Sequence, residues 1–176
     1  SRHANSCAAD GHAMTHGHDA RLVLDWLLSR QRPLLLTHEH PDGDAFGSLL
    51  GLLAALHDLG RPAVAYLGAP LPRRYRNILA VPANLCVGGP VPSGEFDGTV
   101  CLDTTGPERL VLPPGWTPTA LPTPVGVVDH HADNRRFGDV RWVAPEMAAT
   151  AQMLARMLRE GGIGLSPAVA TWLLTG

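Results

Sequence analysis

Three apolar runs in this chain each end in a short cluster of acids and histidines. Pro33-Leu34-Leu35-Leu36-Thr37 leads into His38-Glu39-His40-Pro41-Asp42-Gly43-Asp44, Thr99-Val100-Cys101-Leu102 leads into Asp103, and Val125-Gly126-Val127-Val128 leads into Asp129-His130-His131. Such short apolar runs read as buried strands. In an open parallel sheet, ligands bind outside the carboxyl ends of the strands. Pairing these three runs in parallel would therefore bring aspartates and histidines from distant parts of the chain to one place.

The rest of the pattern supports such a sheet. Asp19–Arg30 has helical spacing at Leu22, Val23, Trp26 and Leu27. Ala45–Leu59 is apolar along most of its length and stops at Gly60, as a helix does. Pro62–Leu67 and Asn84–Val87 read as strands, and Leu71–Leu79 as a short helix between them. Pro107–Pro124, with Pro113, Pro114, Pro118 and Pro122 inside it, reads as a long loop. Pro145–Glu160 reads as a helix stopped by Gly161-Gly162. A last helix starts at Ser166-Pro167, with serine as N-cap and proline at the first position. Strands alternating with helices predict an α/β domain, a doubly wound and mostly parallel sheet with helices on both faces.

Composition excludes several classes. A chain of 176 residues can bury one core, and 45% apolar with 17% charged residues is ordinary for a globular domain. A net charge of -2 supplies no general field for a long polyanion, so no grip on long duplex nucleic acid is expected. No apolar run is long enough to span a membrane. Cys7, Cys86 and Cys101 are too few and too far apart for a zinc pair or a disulfide framework, which fits a reducing cytoplasm. All 14 basic residues are arginine, and two groups stand out: Arg73, Arg74 and Arg76, then Arg135, Arg136 and Arg141. Arginine suits bidentate phosphate recognition, although a solvated surface would look the same. Residues 1–18 are small and polar, carry His3, His12, His16 and His18, and are expected to be a leader, disordered or vector-derived.

Charge favours a metal at the joint of the clusters. If Asp42, Asp44 and Asp103 meet at about 4 Å, each carboxylate pair repels by roughly 4 kcal/mol at an effective dielectric of 20. Without cations one acid must take a proton or move away. Two divalent ions reverse the sign, and the neutral imidazoles of His38 and His130 complete the shells without adding charge. Carboxylate and imidazole without thiolate suit manganese, magnesium, iron or zinc. Gly43 would free the turn between Asp42 and Asp44, the helix beginning near Ala45 would aim N–H groups at a phosphate, and Gly47 and Ser48 would permit close approach. Taken singly, an Asp-x-Asp turn or a His pair is commonplace; the joint occurrence at three strand ends carries the metal reading. No G-x-S-x-G elbow supports Ser48 as a nucleophile. Glu39 and His40 are expected at the solvent rim, without a role.

These motifs resemble the DHH phosphoesterase superfamily, and within it the RecJ-like nanoRNases, which act as oligoribonucleases and on 3′-phosphoadenosine 5′-phosphate. The resemblance runs from about Leu22 to Gly176. It rests on Thr37-His38-x-x-Pro41-Asp42-Gly43-Asp44-Ala45-x-Gly47-Ser48, on Leu102-Asp103-Thr104 with Glu108-Arg109 after it, on Asp129-His130-His131, and on Leu71-Pro72-Arg73-Arg74-Tyr75. It implies that His38, Asp42 and Asp103 ligate one manganese, and that Asp44, Asp103 and His130 ligate a second, with Asp103 bridging. It implies that His131 meets the substrate phosphate, that Asp129 orients a histidine, and that Arg109, Arg135 and Arg136 help to bind substrate.

The implied activity is hydrolysis of short oligonucleotides or small nucleotides by metal-activated water, in an exonuclease-like, cytoplasmic enzyme. The ions would be two, manganese first, with magnesium, iron or zinc as alternatives. A homodimer is compatible with the resemblance. The family carries a fourth motif, an aspartate shortly after a Thr-Gly pair, and a C-terminal substrate-binding domain. This sequence stops at Thr175-Gly176. The expectation is thus a catalytic domain over residues 19–176, cut before the fourth motif, with weak or no turnover of its own. Alternatives on the same scaffold are a cyclic-dinucleotide phosphodiesterase or a manganese pyrophosphatase. A non-catalytic metal- or nucleotide-binding module is the alternative of another class.

Overall fold

The computed structural model describes residues 7–78 and 80–176, with side chains from residue 17 onward. Six parallel strands form one sheet in the order β3-β2-β1-β4-β5-β6, with β1 at Leu34–Leu36, β2 at Val64–Leu67, β3 at Leu85–Val87, β4 at Thr99–Leu102, β5 at Val125–Asp129 and β6 at Val140–Val143. Leu36 pairs with Cys101, and Leu102 with Val128. This register places the carboxyl ends of β1, β4 and β5 side by side, so the three clusters open onto one edge. The expected α/β fold with a parallel sheet holds, but the helices expected on both faces pack on one.

The two faces of the sheet are covered unequally. One face packs Leu35, Ala65, Val100, Leu102, Val128 and Trp142 against α1 (Cys7–Leu28), α2 (Gly43–Asp58), α4 (Thr150–Glu160) and α5 (Pro167–Leu173) in a single core. The other face carries Leu34, Leu36, Val64, Tyr66, Cys101 and Val127, and is covered by loops and two short 3-10 turns, Pro107–Arg109 and Pro118–Ala120. Proline lacks an N–H and clashes inside an α-helix. The proline-rich connection from β4 to β5 therefore crosses its face without one.

Helix α2 carries a stripe that the sequence reading missed. Gly43, Gly47 and Gly51 recur every four residues, which aligns them on one helix face. A Cβ on Gly47 would come within 2.7 Å of the Trp172 carbonyl, and one on Gly51 within 2.6 Å of the Leu173 side chain. One on Gly43 would lie 2.8 Å from the Thr175 carbonyl. The glycines let α5 and the residues after it lie directly on α2. Gly43 and Gly47 thus serve packing, and Gly43 does so without the positive φ that a turn glycine would use.

Other boundaries shift for local reasons. Helix α1 begins at Cys7, so the backbone of residues 7–18 continues the helix expected from Asp19; residues 1–6 of the expected leader lie outside the described residues. Helix α3 is four residues long, Arg73–Arg76, where Leu71–Leu79 was expected. Helix α4 begins at Thr150, later than Pro145, and the Met147 carbonyl ahead of it meets His130, the residue after β5. Strand β6 was not foreseen: its run, Val140-Arg141-Trp142-Val143, is interrupted by an arginine and lies at the sheet edge. Among the described residues, no helix is long and apolar enough to cross a membrane.

Candidate metal centre

Asp103 is the hub. It follows β4 directly, donates its own N–H to the Val128 carbonyl (3.0 Å), and takes a left-handed backbone with φ of 55°. Aspartate tolerates that region better than most residues, and such strain, of order 1–3 kcal/mol, collects at functional sites. The carboxylate is 2% exposed. Oδ2 lies 3.6 Å from His38 Nε2, and Oδ1 lies 3.7 Å from both His130 Nε2 and His131 Nδ1. The Thr150 hydroxyl donates to Oδ1 at 2.9 Å.

The two neighbouring histidines are fixed differently. The Met147 carbonyl can only accept, so His130 Nδ1, 3.2 Å away, carries the proton. That leaves His130 Nε2 with a free lone pair, 3.4 Å from Asp44 Oδ2. His131 Nδ1 is 2.7 Å from Asp129 Oδ1 and donates to it. His131 is therefore held away from ligation through that nitrogen, and its Nε2 is the atom left for a ligand. Asp129 is fully buried, and its Oδ2 accepts from Asn134 Nδ2 at 2.7 Å. Asn134 Nδ2 also donates to the Thr104 carbonyl (2.9 Å), and Asn134 Oδ1 accepts the Arg136 N–H (2.6 Å). The bonds to Thr104 and Arg136 fix the Asn134 amide, and the remaining N–H holds Asp129 in place. The sequence reading passed over Asn134; its one signal was an amide five residues after the third-cluster aspartate.

The first cluster is held by helix ends. Asp42 is the N-cap of α2, and its Oδ1 accepts the Ala45 N–H at 3.1 Å. Asp42 itself thus takes up one of the N–H groups at the start of α2 that had been expected to face a phosphate. Asp44 reaches across to the start of α4, where its two oxygens accept the Thr150 and Ala151 N–H groups, each at 2.7 Å. The N-cap position of α4 is Ala149, which has no side chain to do this. Asp44 also takes a hydroxyl hydrogen bond from the buried Ser48 at 3.3 Å.

Electrostatics strain the cluster. Burial, then the charge of Asp103, push the Asp44 carboxyl above the usual range. Burial alone would raise Asp103 too, but the His38 imidazole 3.6 Å away, the Thr150 hydrogen bond and the nearby His131 outweigh it and hold Asp103 low. Burial opposes the charge on His131, yet its bond to Asp129 and the field of the surrounding carboxylates raise its pKa.

The donor set fits divalent ions. Contacts of 3.4–3.7 Å between His130, Asp44, Asp103 and His38 are too long for good hydrogen bonds. Atoms that share an ion at about 2.1 Å stand roughly 3–3.5 Å apart. His38, Asp42 and Asp103 form one group with ligand atoms within 4.8 Å of one another, and Asp103, His130 and His131 form a second. Each carboxylate oxygen has a second lone pair, so the helix-capping bonds of Asp42 and Asp44 do not close these acids to an ion.

Beside the hub lies a pocket of about 170 Å³ lined by His38, Asp103, Thr104, Thr105, Arg109, His131 and Asp133. Arg109 is held at its rim: the Arg109 carbonyl accepts the Glu39 N–H at 2.9 Å, and its Nε lies 4.0 Å from Glu39 Oε1. Arg135 is turned to Glu108, 3.2 Å away. Arg136 lines a separate groove with Asp139, Arg141 and Trp26. The structure thus gathers His38, Asp42, Asp44, Asp103, Asp129, His130 and His131, sets Arg109 beside them, and leaves Arg135 and Arg136 outside that pocket. His40 is exposed at the rim.

Comparison with known proteins gives a consistent result. Residues 33–176 match the model of the DHH family, N-terminal domain. The bifunctional oligoribonuclease and PAP phosphatase NrnA of Thermus thermophilus is 38% identical over 160 residues, covering 89% of this chain and 45% of that protein. An uncharacterised protein of Mycoplasma genitalium is 25% identical over 149 residues, covering 81% of this chain and 42% of its own length. The chain thus spans less than half the length of these curated relatives. Among solved structures, an exopolyphosphatase-related protein from Bacteroides fragilis superposes with a TM-score of 0.76 at 20% identity, over 91% of this chain and 49% of that one. That likeness concerns the fold.

Proposed function

This chain belongs to the DHH family, and from that premise we propose that it is the metal-binding part of a nanoRNase-type phosphoesterase, cleaving short oligonucleotides or a small nucleotide such as 3′-phosphoadenosine 5′-phosphate. The single observation that carries the reading is the buried Asp103 carboxylate flanked by His38, His130 and His131 at 3.6–3.7 Å. His38, Asp42 and Asp103 would hold one ion, and Asp44, Asp103 and His130 the other, manganese being favoured by the mixed donors. Such ions supply polarisation of a phosphoryl oxygen and an activated water.

The chain's own groups complete the chemistry. Asp129, itself held by Asn134, fixes the tautomer and angle of His131. Nδ1 being committed to Asp129, His131 Nε2 donates to a phosphoryl oxygen in the pocket when the ring is protonated, a state favoured by its raised pKa. Arg109 adds positive charge at the rim. Asp44 and Asp42, tied to helix starts, need little reorganisation when a ligand arrives.

A substrate panel tests this: dinucleotide, cyclic dinucleotide, 3′-phosphoadenosine 5′-phosphate and pyrophosphate, each with manganese and with chelator. The reading expects manganese-dependent hydrolysis or binding of the dinucleotide or of 3′-phosphoadenosine 5′-phosphate, abolished by chelator. No metal-dependent hydrolysis or binding of any nucleotide would refute it, and preference for pyrophosphate or for the cyclic dinucleotide would redirect it to those alternatives.

A further inference from the structure

Arg73, Arg74 and Arg76 place three guanidiniums on the four residues of α3, all of them exposed. Four other exposed arginines meet acids: Arg21 meets Asp25 and Arg156 meets Glu160, each at 2.8 Å, while Arg109 and Arg135 face Glu39 and Glu108; Arg136, Arg141 and Arg159 are exposed singly or in a separate groove. Among the described residues, none of the three arginines of α3 has a carboxylate within ion-pair distance. Like charges one turn apart on a helix repel by about 0.2–0.5 kcal/mol per pair, so this helix carries a small cost that its own fold does not relieve.

Its place in the fold is specific. α3 follows β2, the neighbour of β1, and so stands at the same sheet edge as the metal centre. Tyr75, the buried residue of α3, packs on Phe46 of α2 with ring centroids 4.9 Å apart. Its hydroxyl would lie 3.4 Å from a Cβ on Gly43, the residue between Asp42 and Asp44. The Arg74 guanidinium rests over the Tyr75 ring, 4.7 Å from its centre. Helix α3 is thus seated, through Tyr75, against the start of α2, beside the loop that carries two candidate ligands.

We propose that α3 is a second phosphate-binding surface, which grips the phosphates of a single-stranded oligonucleotide beyond the linkage seated at the metal centre. The inference rests on the phosphoesterase reading above and deepens it: α3 would set the preference for strands over mononucleotides. Arginine is suited to this, since its planar fork takes two phosphate oxygens and stays charged. With a net charge of -2 over the chain, binding would be local, and limited to short strands.

The test is fluorescence anisotropy with a 5′-labelled five-nucleotide RNA, metal chelated so that nothing is cut, across a salt series. The triple variant R73Q/R74Q/R76Q should bind on the order of tenfold more weakly at low salt, with a log–log salt slope shallower by about 2, since a single strand releases roughly 0.7 counterion per phosphate contact. R73K/R74K/R76K should recover most of that slope, and R21Q/R156Q/R159Q, with the same charge change on α1 and α4, should bind as the parent does. A methylphosphonate strand, lacking backbone charge, should not distinguish the parent from the α3 variant. Equal losses in both glutamine triples, or in neither, would overturn the inference. Manganese-dependent hydrolysis or binding of a nucleotide by the unaltered chain is the separate readout: the absence of both removes the phosphoesterase reading, whereas an unchanged salt slope removes only the role of α3.

Discussion

The two sides of the metal centre are held in opposite ways. On the α2 side the candidate ligands are carboxylates tied down by backbone N–H groups, Asp42 at the start of its own helix and Asp44 at the start of α4. On the β5 side they are imidazoles that donate through Nδ1, His130 to a carbonyl and His131 to the buried Asp129. One side therefore makes the site part of the scaffold, so that losing a ligand also loosens a helix. The other makes it a relay of hydrogen bonds, in which neighbours in sequence receive separate tasks.

The sharpest way to break this contrast is to remove each histidine. His131→Ala should keep ion binding while lowering turnover by about 10²–10⁴-fold, the range for a positioned proton donor. His130→Ala should lose ion affinity itself. Equal loss of ions in both variants, read by metal titration, would show that the two tasks are not divided.

Asn134→Ala probes the relay one step back. It leaves a buried oxygen of Asp129 without its partner, an expected loss of about 1–3 kcal/mol in chemical unfolding, and about 10–100-fold in turnover if His131 is misaligned. Unaltered turnover would detach Asn134 from the site.

Asp44→Ala probes the scaffold side. In chelator, where no ion contributes, it should still cost about 1 kcal/mol for the lost helix cap, and hydrogen exchange at the Thr150 and Ala151 amides should speed up. Unchanged exchange would mean that Asp44 does not cap α4 in solution.

The smallest effect concerns the opposite face of the sheet. Burial pushes the Cys101 thiol up to about 12, so a thiol reagent at pH 8 should modify the half-exposed Cys86 and spare Cys101, as read by peptide mass. Modification of Cys101 in folded protein would mean that the loop-covered face opens readily.

Much of this was legible because apolar runs and the clusters after them are contiguous. A short buried strand fixes where the next residue emerges, so Asp103 and Asp129 could be placed at strand ends from sequence. The partners could not. Asp44 meets Thr150 and Ala151 more than a hundred positions away, and no local pattern announces that an alanine N-cap will borrow its carboxylate. Gly43 was read as a turn residue because an Asp-Gly-Asp segment looks like one; the reason for glycine is the Thr175 carbonyl just after α5, which arrives only in three dimensions. Arg135 and Arg136 sit close to the third cluster in sequence, yet the chain turns at Arg136, with φ of 53°, and carries that side chain into another groove. Helix α3 and its unpaired arginines show the reverse: the pattern was visible, and only the fold set it beside the Asp42–Asp44 loop.

The most direct test is a manganese titration of the intact chain beside Asp103→Asn, which keeps the shape and removes the charge shared by both sides. The account predicts two ions bound by the parent, and both sites lost or severely weakened together in the variant. Equal manganese binding by the two proteins would contradict it.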